Sequence, residues 1–366
     1  DRIEERISIA GRQISTADLL AAFRRIMPVV ERLDQLALRK NTTGPTWFEV
    51  LTAIAFIHFE RKGIDLAVIE TGLGGRLDAT NLCSPIVSLI TNISLDHTDV
   101  LGNTIREIAI EKAGIIRRGC PVISTALHPD AMKVITEKSA EKQTKSFFLN
   151  RDFTVRPLKI NNPGNHAISN WHSFEIQAPP DSPAKRYRIA MAGIHQAENA
   201  AAAIMATKVL ARKGFQIDKH DIAAGLRKTR LPARIEWISS APPIILDAAH
   251  NVASMDSLVK TLSDQSSQPK KRILIFAASA DKELIAMLRI STTYFTDIVL
   301  TRYATNPRAA TITRLREAAK KGGWEEPHVA VSPTEAVLIG KRLAGKTGLL
   351  CIAGSFFLAA EARNAL

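Results

Sequence analysis

Two apolar runs, each ending in a chemically equipped loop, constrain this chain more than any other feature. They are DLAVIETGLGGRLDATN at 65–81 and SLITNISLDHTDVLG at 88–102. Each reads as a strand whose C-terminal end delivers a functional side chain, Glu70 from the first and His97 from the second. In open α/β sheets that edge gathers helix N-termini and loop amides, and ligands bind there. A carboxylate and an imidazole projected from two such strand ends could share one divalent cation. Asp96 and Asp99 stand beside His97 as alternative ligands, and the residues alone do not rank them.

The strand–helix alternation continues along the chain. ERISIAGRQIS alternates like a short strand and turn, and 16–38 has helical spacing after a Ser-Thr cap, with an interruption or kink expected near Pro28. WFEVLTAIAFIHFERK at 47–62 reads as a buried amphipathic helix ending at Gly63. Strand, glycine loop, strand, helix and strand follow through VISTA, with helix DAMKVITEKSAEK after it. Over 146–192 the texture changes to short pieces (SFFLN, FTVRPLKI, SFEIQA, YRIAMA), expected as a small antiparallel patch on the first sheet. Helices at 196–213 and 218–228 complete the first domain, expected over 1–238. The small polar and proline residues of 239–243 break both periods and read as a linker. Strands PIILDAAH, RILIFAA, DIVLTR, HVAVS and GLLCIAGS, separated by helices, then predict a second, Rossmann-like doubly wound α/β domain over 244–366.

Bulk properties narrow the function classes. A length of 366 residues suits two domains of roughly 150 residues each. The formal charge of +13 points to anionic partners. Lys and Arg are spread over helix faces such as TKVLARKG and RLREAAKKGG, and the one cluster, PKKR at 269–272, reads as a solvated strand entry. No aromatic RNA-binding motif or zinc finger appears, so small polyanions fit better than nucleic acid. No apolar run reaches the ~20 residues of a membrane span. The opening DRIEERISIAGRQ is charged, unlike a signal peptide. Cys83, Cys120 and Cys351 are far apart and form no CxxC pair, which argues against disulfides or a zinc site and fits a cytoplasmic location.

GLGGRLD is not a dinucleotide fingerprint, because Leu77 stands where the third glycine belongs. Its glycines read instead as letting backbone amides approach an anionic substrate, with Arg76 and Asp78 in the same loop. Lys112 in EIAIEKAGII reads from the residues alone as a surface lysine paired with Glu107 or Glu111. ILDAAHN puts Asp247 and His250 at the end of a strand where a helix begins, a natural corner for a nucleoside. LPARIEW places Arg234 just before the expected linker. The only GK[ST] triplet, in AGKTG at 344–348, precedes a strand instead of following one and reads as a tight turn.

Taken together, ERISIAG, TWFEVLTAIAF, ETGLGGRLDATN, LDHTDVLG, EKAGI, GIHQAENAAAA, LPARIEW, ILDAAHN, ADKE and GSFFLAAE occur in the order of one family. The chain resembles the folylpolyglutamate synthase/dihydrofolate synthase family, relatives of the Mur ligases. That resemblance implies a P-loop-NTPase-like first domain and a C-terminal glutamate-ligase domain. It implies Glu70 and His97 as magnesium ligands and Lys112 as a carbamylated lysine. Asn199, Arg234, Asp247 and His250 would contact ATP, while Arg76, Asp78, Trp47 and Phe48 would border the pterin-bearing substrate. The implied reaction is ATP-dependent addition of L-glutamate to dihydropteroate or a folate through an acyl phosphate, by a monomer acting on small molecules. A Mur-type ligase with another acceptor is the competing enzymatic reading. The family's phosphate-gripping loop, GxxGKGS, belongs upstream of ERISIAG, and this chain begins without it. A fragment of an ordinary enzyme and a binding relative without turnover both fit that start. Little ligase activity is expected of a chain lacking the loop, and an unpaired sheet edge is the structural sign of a missing segment.

Overall fold

The computed structural model describes residues 2–158, 172–264 and 268–366. The chain opens with a two-residue hairpin, β1 (Ser8–Ile9) and β2 (Arg12–Gln13), followed by helices α1 (Thr16–Lys40) and α2 (Trp47–Lys62). Ser15 caps α1 by accepting from the Asp18 amide, and the helix runs through Pro28 to a left-handed Asn41. The expected interruption at Pro28 does not occur. Thr46 and Glu49 form a reciprocal capping box on α2, and Gly63 ends it with φ 60°.

Next come β3 (Ser88–Ile90), α3 (Thr98–Leu101), α4 (Ile105–Ala113), β4 (Val122–Ser124), α5 (Pro129–Glu141) and β5 (Ser146–Phe148). β3, β4 and β5 form a parallel sheet in that order. Two expectations change here. SFF at 146–148 is the third parallel strand, because its register matches Val122–Ser124 and it does not belong to the antiparallel patch. The run at 65–70 forms no strand. A strand exists only through a neighbour's hydrogen bonds, and among the described residues β3 has one partner, β4, leaving Val68 94% exposed.

The antiparallel patch is a separate sheet of β6 (Thr154–Leu158), β7 (His172–Gln177) and β8 (Lys185–Ile189). Lys159 and Ile160 of the expected FTVRPLKI strand lie outside the described residues. Helix α6 (Ile194–Arg212) packs its Ala200, Ala201 and Ile204 onto this patch and β4, and α7 (Lys219–Lys228) follows.

The second unit begins with β9 (Glu236–Ser240) and β10 (Pro243–Leu246), which pair antiparallel. The stretch 239–243 is therefore the turn of a hairpin inside the second sheet and not a linker. Its prolines break periodicity as a linker would, but the β9 register ties them to the sheet. Then come α8 (Val252–Ser263), β11 (Arg272–Phe276), α9 (Leu284–Ser291), β12 (Asp297–Leu300), α10 (Ile312–Lys321), β13 (His328–Val329), α11 (Pro333–Ala344), β14 (Leu349–Ala353) and α12 (Phe356–Arg363). The strand order is β13-β12-β11-β14-β10-β9, parallel except for β9. Period-two alternation covers both faces. Leu349, Cys351 and Ala353 join the core under α8, α9 and α10, while Leu350 and Ile352 join the core under α11 and α12. GKRLAGKT at 340–347 fits P-loop spacing formally, yet Gly340 sits inside α11 and Gly345 is that helix's C-cap. Gly345 to Thr347 form the turn between α11 and β14, in line with the tight turn expected.

One close approach fixes the first unit's functional loop. A Cβ on Gly114 would lie 2.3 Å from the Arg76 Cα, and one on Gly75 would lie 3.0 Å from the Glu111 carbonyl oxygen. Arg76 N–H donates to that same carbonyl at 2.8 Å, so the glycine loop lies directly on the end of α4. Gly114→Ala should cost about 1–3 kcal/mol in urea unfolding, because backbone cannot give way to the new methyl. Gly225→Ala in α7, where the space is open, should be neutral or stabilising by up to ~1 kcal/mol. Equal effects at the two positions would contradict this packing.

Candidate active site

The glycine loop is held from within by Asp78. One carboxylate oxygen accepts from the Gly72 and Leu73 amides at 2.9 Å, the other from the Thr80 amide at 2.9 Å and hydroxyl at 2.6 Å. Burial works against the charge, but these donors outweigh it and hold the Asp78 carboxyl below the usual carboxylate range. Gly72 lets the Phe48 ring come close, since a Cβ there would sit 2.6 Å from the ring and 3.2 Å from the Asp78 carboxylate. Phe48 and Asp78 therefore meet. Trp47 stacks edge-on with Phe48 at 5.8 Å and is 61% exposed, an aromatic face open to solvent. Arg76 is engaged with Glu111, at 2.9 Å from one guanidinium nitrogen and 3.1 Å from another.

Those pairings bear on Lys112. Glu111 is taken by Arg76, and Glu107 closes the α4 capping box with Thr104. The surface pairing expected from sequence is absent: Lys112 has no hydrogen-bond or ion-pair partner among the described residues. Burial lowers its amine from the ordinary value, with the Asp96 carboxylate opposing the shift. A half-buried, unpaired amine of lowered basicity is poised for nucleophilic chemistry.

Asp96 and His97 follow β3. His97 adopts the left-handed conformation, φ 51° and ψ 40°, as the residue preceding α3. Its amide donates to Asp96 at 2.9 Å, which holds this turn. Burial lowers the His97 imidazole from its ordinary value, against the pull of Asp96 and with Lys282 and His250 adding to the fall. The neutral ring that results is the form that binds a metal. Glu70 is exposed at the end of the 65–70 run. Among the described residues no three His, Cys, Asp or Glu side chains form a metal cage. A cation held by Glu70 and His97 would thus complete its sphere with water and substrate oxygens, the habit of magnesium.

Asp96 is the centre of the contacts between the two units. It accepts from the Lys282 ammonium and from Asn251 Nδ2 at 2.8 Å, and lies 3.3 Å from His250 Nε2. Burial alone would raise this carboxyl, but His250, Lys282 and Asn251 hold it far below the carboxylate range. Sequence reasoning named Asp96 only as a spare ligand and missed Lys282 and Asn251. The signal was present in ADKE and ILDAAHN, without anything to say they meet.

In the second unit Asp247 is 6% exposed and turns inward. Its oxygens accept the Ile235 and Ala249 amides, each at 2.7 Å. Ala233 and Ile235 flank Arg234 with φ of 53° and 47°, a strained conformation for a β-branched residue. Asp247 thus secures the turn that presents Arg234, whose guanidinium stacks on Phe356 at 5.0 Å. His250 faces the same ring at 5.9 Å and binds the Ala248 carbonyl through Nδ1 at 2.9 Å. Arg234, His250 and Phe356 form one patch. Asn199 is exposed on α6. His195, earlier on α6, is kept neutral at about 4 by burial, with Arg234 and His172 adding to the fall.

Burial pushes the Asp247 carboxyl up to about 6 from 3.8. A raised acid is penalised in the folded state once it ionises. Its stability contribution is therefore best below about pH 4 and lost as pH rises through about 6, on the order of 3 kcal/mol. Asp247→Asn should flatten the stability profile between pH 4 and 6, read by urea unfolding at each pH; an unchanged slope would contradict the assignment.

The described helices include none long and apolar enough to cross a membrane. The family profile described as Mur ligase middle domain matches residues 15–207, and that described as Mur ligase, glutamate ligase domain matches 233–356. Folylpolyglutamate synthase of Lacticaseibacillus casei is 35% identical over 329 residues, 89% of this chain and 74% of that protein. Dihydrofolate synthase/folylpolyglutamate synthase of Bacillus subtilis is 32% identical, covering 99% of this chain and 81% of its own length. The crystal structure of Mycobacterium tuberculosis folylpolyglutamate synthase, solved with ADP and AMPPCP, superposes with a TM-score of 0.86 at 32% identity, covering 99% of this chain and 81% of that one. The motif order, the two α/β units and these likenesses agree, and the chain belongs to the folylpolyglutamate synthase/dihydrofolate synthase family of Mur ligases, ATP-dependent enzymes that form C–N bonds.

Proposed function

We propose that this chain joins L-glutamate to dihydropteroate, to a folate, or to both, using ATP. The observation that carries the reading is the meeting, at Asp96, of the strand end bearing His97 with the second unit's His250 and Lys282. A bound nucleotide at the Arg234–His250–Phe356 patch then faces the acceptor side of the site. The relative solved with ADP and AMPPCP supports a nucleotide as ligand, and a relative solved with AMPPCP and folate supports the acceptor class.

In the reaction, a carboxylate oxygen of the acceptor takes the γ-phosphoryl group of ATP and ADP leaves. The glutamate amine then attacks the acyl carbon, loses a proton, and phosphate departs from the tetrahedral intermediate. Magnesium, when bound, offsets charge on the phosphoryl oxygens. Glu70 and His97 would hold it, His97 as a neutral donor. Lys112 gains a carboxylate by adding CO2 to its amine: a C–N bond forms and one proton leaves. Its lowered basicity and lack of partner favour that step. Arg234 stabilises negative charge on the phosphates. The Trp47–Phe48 face and the Asp78 loop border the pterin. A groove of about 700 Å³ beside Arg76 and Asp78 is lined by Arg106, Arg117 and Lys138 together with Glu137 and Glu141. The fold acts as a monomer in a cytoplasmic setting under this reading.

The test is ADP release with dihydropteroate or tetrahydrofolate as acceptor, by the chain extended with an upstream GxxGKGS segment, since little activity is expected without that loop. Release should require acceptor, ATP and glutamate together, and Lys112→Ala should lower turnover by at least about 100-fold with melting temperature unchanged. ADP release driven by peptidoglycan precursors would favour the Mur-type acceptor instead. Binding of folate and nucleotide with no turnover would replace the ligase reading with a binding role.

A further inference from the structure

Asp96 stands in a position the proposed chemistry does not use. Its side chain is 19% exposed, and Lys282 against it is 13% exposed, so this is an ion pair largely removed from water. One oxygen of Asp96 takes the His97 amide and the Lys282 ammonium; the other takes Asn251 Nδ2 and faces His250 Nε2. Three of these four groups come from the second unit, through two different loops: His250 and Asn251 between β10 and α8, and Lys282 between β11 and α9. The fourth is the backbone of His97. The Asn251 side chain is itself doubly committed, since its Oδ1 caps α8 by accepting from Ser254 N at 2.8 Å while its Nδ2 reaches Asp96. Asp96 is thus wired to the start of a helix and to two loop ends, with no freedom on either side. A surface ion pair would do little. A shielded carboxylate with a set of fixed donors defines an orientation, and loss of one partner strands the others in a site that water cannot rescue.

We propose that Asp96 is a positioning residue that couples two events: docking of the second unit against the first, and aiming of His97 from its left-handed turn. The same carboxylate makes both sets of contacts, so loss of the second unit's partners removes the groups that hold Asp96 in the orientation in which it accepts the His97 amide. The proposal rests on the ligase reading for what His97 does once aimed, while the docking half stands on the contacts alone.

The experiment reads the halves separately. Spin labels at the exposed positions Lys133 on α5 and Lys320 on α10, in full-length chain with Cys83→Ser, give the distance between the units by pulsed electron resonance. The parent protein should show one narrow distribution. Asp96→Asn, which keeps the shape and removes the charge, should broaden it, and Lys282→Gln should do the same from the opposite side. The double variant should be no broader than either single one, because both remove the same link. In ligase assays Asp96→Asn should lower kcat by about 100-fold, the scale of a small misplacement of a reacting group, with KM for ATP within about threefold. An unchanged distance distribution in both single variants overturns the docking half, and so does additive broadening in the double. A broadened distribution with unchanged kcat overturns the coupling to His97. Absence of ligase activity in the parent protein extended with the upstream GxxGKGS segment would sink the ligase reading, and with it the coupling, while the distance measurement still decides docking. If Asp96→Asn does not fold, Lys282→Gln decides docking, and its broadening together with normal kcat rejects the coupling.

Discussion

The contact between glycine backbone in the 72–75 loop and the last turn of α4 organises everything else in the first unit. Nothing bulkier than hydrogen fits at Gly114 against Arg76, so the loop and helix are in direct backbone contact. That contact places Arg76 on Glu111, which leaves Lys112 without an ion-pair partner among the described residues. It also holds Asp78 inside its own loop, where four donors bind it, and lets Phe48 approach through Gly72. A small residue pattern thus decides which side chains are available for chemistry and which are spent on structure.

A similar division of labour runs through the second unit. Asp247 was expected to touch the nucleotide, and it is almost wholly buried with both oxygens on backbone amides. Its visible work is to maintain the strained turn around Arg234. The side chains left facing outward are Arg234, His250 and Phe356, a cation, an imidazole and an aromatic ring suited to a phosphate-bearing, ring-bearing ligand. The carboxylate sets the geometry, and under the proposed function the exposed groups would meet the ligand.

How much of this was legible in the sequence follows from how far apart the cooperating residues lie. The helices 16–40 and 47–62 were readable because their caps are local: Ser15, the Thr46–Glu49 box and Gly63 all lie within a turn of the ends. The second sheet was readable because its central strands β10, β11, β12 and β14 alternate between two cores. The 65–70 run was misread as a strand, because apolar composition says nothing about whether a partner ladder exists. The linker was misread because prolines in a hairpin turn and prolines in a linker look alike until the register is known. Glu70, His97 and Lys112 were flagged from motif order, but the freedom of Lys112 depended on Arg76, 35 residues away from the Glu111 it occupies. Asp96 was the hardest to read. Its partners Asn251 and Lys282 are 155 and 186 residues distant, and no local pattern records such a meeting.

The central claim is that a carboxylate and a neutral imidazole from two neighbouring segments hold one cation beside a nucleotide brought by the other unit. The most direct measurement is anomalous diffraction from crystals grown with Mn2+ and a non-hydrolysable ATP analogue. The account predicts one strong manganese peak bonded to both Glu70 and His97, with phosphate oxygens and water filling the remaining positions. A peak bonded to neither side chain, or Glu70 and His97 too far apart to share an ion at about 2.1 Å from each, would contradict it.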